Sequence, residues 1–129
     1  MKIPENLKYS EEHEWVEVKG NRAVIGITDF AQNSLGDIVY VELPKTGMTI
    51  RKGQEVTTVE SVKAASAIYT PVSGAIVEVN DNLDKTPELI NQDPYNAFIF
   101  IVEMKDPAEL DSLMDATAYA AYIEKDGHK

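Results

Sequence analysis

Cysteine is absent from this 129-residue chain, which removes disulfides, thiolate metal sites and a cysteine nucleophile together. Any sulfur redox chemistry must therefore come from something attached. Histidine is almost absent: His13 and His128 lie near opposite ends, too few parts for a histidine metal cluster or a Ser-His-Asp triad. The seven glycines are scattered, with no glycine-rich strand-to-helix loop to cradle a nucleotide phosphate. Positive charge is scarce as well. Twelve Lys and Arg against 22 Asp and Glu leave a formal charge of -10, which repels phosphate and anionic lipid and argues against nucleic-acid or membrane-surface roles. No segment approaches the ~18 consecutive apolar residues of a membrane span. The opening Met1-Lys2-Ile3-Pro4-Glu5-Asn6 lacks the apolar stretch of a signal peptide, so the cytoplasm is the expected compartment.

What is present describes a soluble globular protein, 43% apolar and 26% charged. At ~100–200 residues per domain, positions 1–129 are expected to form a single domain. The first hundred residues read as short strands. Trp15–Val18 and Arg22–Thr28 flank Lys19-Gly20-Asn21, whose glycine and asparagine tolerate the positive φ of a tight hairpin. Thr28 or Asp29 caps a short helix through Ala31 and Leu35, which Gly36 ends as a left-handed residue. Asp37–Leu43 is a β-prone run closed by Pro44-Lys45-Thr46-Gly47. Gln54–Val62 and Ala67–Thr70 form the next pair, and Ala75–Val79 follows Pro71-Val72-Ser73-Gly74.

A weak internal echo runs through this region. A β run, a proline turn closing on glycine and a second β run occur at Val39–Ile50 and again at Ile68–Val79. Two such halves about Val62-Lys63-Ala64 suggest a quasi-symmetric sandwich. Further on, Thr86-Pro87 opens a helical turn over Glu88-Leu89-Ile90, and Ala97–Val102 reads as a last buried strand. From about residue 107 the period becomes helical. Asp106-Pro107-Ala108-Glu109 has the form of a capping box leading into Leu110, Leu113 and Met114, and Asp115 caps a second helix bearing Tyr119, Tyr122 and Ile123. Gly127-His128-Lys129 is expected to fray.

Chemistry concentrates at one place. The 22 carboxylates single out no acid-base pair. Glu60-Ser61-Val62-Lys63-Ala64-Ala65-Ser66, by contrast, sets a lysine among small residues where two β segments meet. An exposed hairpin lysine is the plainest reading. A lysine amine, ordinarily titrating near 10.4, attacks an acyl group only after losing its proton, so a modifying ligase must bring its own base and reach the amine. A protruding turn on a stiff β scaffold offers that access.

These blocks resemble the H proteins of the glycine cleavage system, from about Leu7 to Ile123. The matching stretches are His13-Glu14-Trp15-Val16, Val24-Ile25-Gly26-Ile27-Thr28, Leu35-Gly36-Asp37 running on to Leu43-Pro44, Glu60-Ser61-Val62-Lys63-Ala64, Pro71-Val72-Ser73-Gly74, and Glu88-Leu89-Ile90-Asn91 with Asp93-Pro94-Tyr95. Biotin carriers usually flank their lysine with methionines, and lipoyl domains of 2-oxoacid dehydrogenases usually have Asp-Lys-Ala. Val62-Lys63-Ala64 matches neither.

The resemblance implies a mainly β barrel-sandwich hybrid with short C-terminal helices, carrying lipoic acid in amide linkage on Lys63. It implies a shuttle and not an enzyme. In the family a pyridoxal-phosphate glycine decarboxylase loads the aminomethyl group of glycine, a folate-dependent aminomethyltransferase takes it, dihydrolipoyl dehydrogenase reoxidises the arm, and a lipoylating enzyme installs it. Glu14 matches an acidic residue near the cleft that shields the loaded arm. Glu60 and Ser61 match the modification motif, with hairpin structure as their plainer role. His13 is expected to pack or hydrogen-bond.

Two departures stand out: Ala67 follows Ser66 where the family usually has Asp, and Asn96-Ala97-Phe98-Ile99 replaces a glycine-tryptophan pattern. An H-like lipoate carrier of another pathway, such as lipoate relay or sulfur oxidation, and an unmodified interaction module are the alternatives that the sequence leaves open.

Overall fold

The computed structural model describes residues 1–126; the expected frayed end, Gly127-His128-Lys129, lies outside them. Nine strands form two antiparallel sheets. The strands are β1 (Lys8–Tyr9), β2 (Glu14–Lys19), β3 (Arg22–Ile27), β4 (Ile38–Val41), β5 (Thr49–Ile50), β6 (Glu55–Ser61), β7 (Ala65–Tyr69), β8 (Gly74–Val79) and β9 (Phe100–Met104). The larger sheet has the order β1-β2-β3-β9-β8-β5, and the smaller has β4-β6-β7. Together with the short helices this is the expected barrel-sandwich arrangement.

The internal echo acquires a physical meaning in this topology. β4 and β7 flank β6 in the small sheet, and after their proline turns the chain crosses from each into the large sheet, where β5 pairs with β8. Each half therefore contributes one strand to each layer. Between the layers lie Val16, Ile25, Ile38, Val41, Val59, Ile68, Ile76 and Val102, nearly all fully buried. Except in β4, alternate residues of each strand supply them, because successive side chains point to opposite faces.

Helix α1 (Asp29–Leu35) begins as expected: Thr28 Oγ1 accepts from the Ala31 amide at 3.2 Å. The β2–β3 turn differs in detail. Gly20 alone takes positive φ, while the Asn21 amide group donates to the Met104 carbonyl at 3.0 Å. Two short helices, α2 (Asn82–Lys85) and α3 (Leu89–Gln92), stand where one turn was expected. The last strand is shifted toward the C-terminus. Ala97 and Ile99 are buried as predicted, but the Ala97 amide donates to the Asp93 carbonyl and closes the turn that follows α3, so pairing with β8 begins only near Phe100.

The capping box also resolves differently. Asp106 accepts from the Ala108 amide as a cap, yet Glu109 does not reach back. Its carboxylate accepts instead from the Ser73 amide at 2.7 Å and from Ser73 Oγ at 2.8 Å. The segment Pro107–Ser112 becomes a 3-10 helix, and Met114 leaves it extended to exchange both main-chain hydrogen bonds with Tyr9. Helix α4 (Ala116–Asp126) is capped by Asp115, whose Oδ1 accepts from the Ala118 amide at 2.8 Å. It covers a second apolar cluster of Leu7, Tyr9, Trp15, Val24 and Tyr119, and the Tyr9 and Tyr119 rings stack with centroids 4.6 Å apart. Among the described residues no helix is long and apolar enough to cross a membrane.

Candidate functional site

Lys63 occupies the three-residue turn between β6 and β7, and Ser61 shapes that turn. The Ser61 amide donates to the Ala64 carbonyl at 2.7 Å, and its buried hydroxyl donates to the same carbonyl at 3.2 Å while accepting from the Ala64 amide at 3.1 Å. Three hydrogen bonds within four residues drive Val62 and Lys63 outward into solvent. The Val62 amide then donates to the Asp37 carbonyl at 2.9 Å and ties the turn to the segment after α1. Among the described residues the one ion pair is Lys19–Glu17, so none of their carboxylates holds the Lys63 ammonium.

Gly36 lies beneath this lysine. A Cβ built there would meet Lys63 Cε at 3.5 Å, so the methylenes run over a surface left bare by the glycine. Its φ of 81° is positive as expected, but its ψ of -155° is extended rather than left-handed helical, a conformation essentially confined to glycine. Asn91 of α3 braces the same spot. Its Nδ2 donates to the Gly36 carbonyl and to Gln32 Oε1, both at 2.9 Å, and its Oδ1 accepts from the Ile38 amide at 2.8 Å. The sequence contains Asn91 within a matching block but carries no signal for this role, because its partners come from two distant segments.

Glu14, at the start of β2, is 1% exposed. One oxygen accepts from the Ser10 hydroxyl, and the other accepts from the Tyr69 amide at the far end of β7, 3.2 Å away. Burial pushes the carboxyl up to about 7, against the opposing pull of those two hydrogen bonds. β7 thus runs from the lysine turn to Glu14. Glu14 faces a groove of about 550 Å³ that Ser10, Glu12, Lys52, Tyr69 and Met114 also line. A smaller hollow of about 170 Å³ lies nearer the lysine, between α1 and β7, with Ile27, Phe30, Leu35, Ser66 and Ile68 in its walls. Glu12 borders both. Ala67, paired with Thr58, lines neither.

Glu60 is exposed on β6, between Tyr40 and Ala65 in register, and makes no contact with Glu14. His13 takes positive φ (69°), and its Nδ1 is 2.8 Å from the Tyr119 hydroxyl, which is also 2.8 Å from Thr28 Oγ1. Its ring tilts against Phe30 at 4.7 Å. Burial holds the imidazole below its ordinary pKa, with the Glu12 charge opposing. Packing and hydrogen bonding are therefore its role here. No group of three or more His, Cys, Asp and Glu is arranged to hold a metal among the described residues.

The site is a free amine on a rigid turn, one strand away from a buried carboxyl. Residues 7–126 match the family described as "Glycine cleavage H-protein". The chain belongs to that family. It is 56% identical over 126 residues to the glycine cleavage system H protein of Brevibacillus brevis, an alignment spanning 97% of this chain and all of the relative. It is 53% identical over 129 residues to that of Acidobacterium capsulatum, covering 99% and 100% of the two chains. The crystal structure of a glycine cleavage system H protein from Mycobacterium marinum superposes with a TM-score of 0.84 at 34% identity, covering 97% of this chain and 99% of that one. As a glycine cleavage H-protein the chain is a carrier, not a catalyst, which agrees with the lack of any catalytic constellation in its sequence.

Proposed function

We propose that Lys63 bears lipoic acid in amide linkage and that the chain carries the aminomethyl group of glycine from glycine decarboxylase to aminomethyltransferase, with dihydrolipoyl dehydrogenase restoring the arm. The observation that carries this reading is the Ser61-bonded turn, which holds an exposed lysine that no carboxylate among the described residues pairs, in a member of this family. When bound, lipoate supplies the disulfide that a cysteine-free chain lacks.

The chain's own residues fit such a group. Gly36 leaves room along the lysine methylenes, and acylation removes the ammonium charge whose desolvation would oppose lying against Leu35 and Ile68. Glu14 is poised near neutrality by burial, so an amine approaching it favours the carboxylate, and the pair forms in a groove where water screens it less than on an open surface. Glu60 and Ser61 belong to the segment that the lipoylating enzyme reads, with Ser61 acting through the turn.

Expression with a lipoylation pathway, followed by intact mass and peptide mapping, tests the assignment. One lipoyl adduct on Lys63 is expected, and none on Lys63→Arg, because the guanidinium stays protonated. The lipoylated protein then supports glycine-dependent carbon dioxide exchange by glycine decarboxylase. An adduct on another lysine overturns the site. Reduction by dihydrolipoyl dehydrogenase without any glycine exchange overturns the decarboxylase as partner.

A further inference from the structure

Five large apolar residues are exposed among the described residues, and three of them, Val39 (55%), Tyr40 (47%) and Val62 (75%), gather at the end of the small sheet that bears Lys63. Their clustering follows from one irregularity. In a regular strand, neighbours alternate between core and solvent, but β4 reads buried, exposed, exposed, buried from Ile38 to Val41. The register shifts there: Ile38 pairs with Ser61 and Tyr40 with Glu60, leaving Val39 as an extra, unopposed residue. This β-bulge turns two successive apolar side chains outward beside the lysine turn.

Tyr40, Glu60 and Ala65 make one exposed row across β4, β6 and β7, and Val62 lies one step beyond it. Exposed carboxylates of Asp37, Glu42 and Glu60 border the patch, on a chain of net charge -10. An apolar centre with an acidic rim is the form of a protein-binding surface.

Resting on the carrier reading above, we propose that Val39, Tyr40 and Val62 form the docking surface for glycine decarboxylase, and that the surface it meets there is complementary, an apolar centre ringed by lysine and arginine. The argument is one of position and charge. An enzyme must approach within arm's reach of Lys63, and this patch is the apolar surface there. The acidic rim selects a basic counterpart and speeds encounter with it, an effect that weakens as salt rises.

The test uses the lipoylated protein as the varied substrate in glycine–bicarbonate exchange. Val39→Ser/Tyr40→Ser and Val62→Ser are expected to raise KM for the carrier at least fivefold with kcat within twofold. Asp37→Asn/Glu42→Gln is expected to raise KM less and to flatten its dependence on ionic strength. Val18→Ser, an exposed apolar position on the other sheet, is the control and leaves both constants unchanged. Full lipoylation by intact mass and an unchanged melting temperature qualify each variant. Qualified patch variants that keep wild-type KM overturn the docking surface. Failure of the wild-type lipoylated protein to support exchange overturns glycine decarboxylase as the partner in the reading above, so the two failures are distinct. If KM rises equally for Val18→Ser, the effect is not local to the lysine and the proposal falls.

Discussion

The main-chain amide of Tyr69 donates to a carboxylate oxygen of Glu14 at 3.2 Å, joining the strand that leaves the lysine turn to a strand of the opposite sheet. A carboxyl in that position is pulled both ways. Its hydrogen bonds favour the charged form, burial opposes it, and burial wins, so the group titrates near 7.

The consequence for stability has a definite sign. Because the folded-state pKa of Glu14 lies above its ordinary value of 4.5, the native protein holds the extra proton between about 4.5 and 7. Stability therefore falls as pH rises through that window, by up to ~3 kcal/mol, since a tenfold change in proton affinity is worth about 1.36 kcal/mol. Glu14→Gln removes this dependence while its amide oxygen still accepts from Tyr69. The variant is expected to be ~1–3 kcal/mol more stable than wild type at pH 8 and nearly equal to it at pH 4. Urea midpoints at the two pH values check this; equal gains at both would show that the charge is irrelevant. A loaded, cationic arm favours the carboxylate and lowers the titration midpoint of Glu14, which carbon-detected NMR of the carboxyl reads directly.

Tyr119 anchors α4 through one hydroxyl shared between Thr28 Oγ1 and His13 Nδ1, both 2.8 Å away. Tyr119→Phe keeps the ring stacked on Tyr9 but removes this partner from His13 Nδ1 and leaves the fully buried Thr28 hydroxyl with the Ala31 amide alone. The expected cost is ~1–3 kcal/mol, as for an unsatisfied buried partner. Losing the hydroxyl should also shift the His13 titration, followed by its ring proton resonances. A His13 resonance that titrates unchanged would sink the coupling between helix and loop.

Much of this site is legible in the sequence, and the parts that are not share a cause. Lys63 stands out because β-prone runs on both sides leave no glycine or proline to make the turn, and the cap at Thr28 is visible because capping is a local event. The bulge at Val39 and the brace at Asn91 are invisible, since each depends on a partner strand or helix brought in from far along the chain. Glu109 shows the competition directly. Its local pattern promises a capping box, but the Ser73 amide and hydroxyl offer two charge-assisted hydrogen bonds, and the segment tightens to a 3-10 helix instead. The burial of Glu14 is likewise tertiary: an acidic residue beside Glu11 and Glu12 reads as solvated until β7 and the Ser10 loop close over it.

Gly26 pairs with Trp15 across β2 and β3, and the indole lies on it. A Cβ there would come within 2.7 Å of the ring carbons, while the ring nitrogen donates to the Pro94 carbonyl at 3.0 Å. Gly26→Ala must push the indole off that carbonyl. Overpacking of this kind costs ~1–3 kcal/mol, and the emission of the single tryptophan should move to the red as its ring tilts toward solvent. A thermal melt and an emission spectrum suffice; an unshifted spectrum with full stability would mean that the sheet yields instead of the ring.

Ser61 separates two explanations of the lysine motif, a side chain touched by the lipoylating enzyme and a side chain that builds the turn. Its hydroxyl is buried and occupied on both sides by Ala64, accepting from the amide and donating to the carbonyl. The turn explanation predicts that Ser61→Ala, with two hydrogen bonds gone at ~0.5–1.5 kcal/mol each, frees Val62 and Lys63 to wander. The rate of lipoylation should fall about 5- to 100-fold, read by intact mass over time, and the amide of Ala64 should lose hydrogen-exchange protection. Ser61→Thr keeps the hydroxyl on a β-branched residue suited to a strand end and should restore both the rate and the protection. If Ser61→Ala slows lipoylation while Ala64 stays protected, the turn is intact without the hydroxyl, and the enzyme must be reading Ser61 itself.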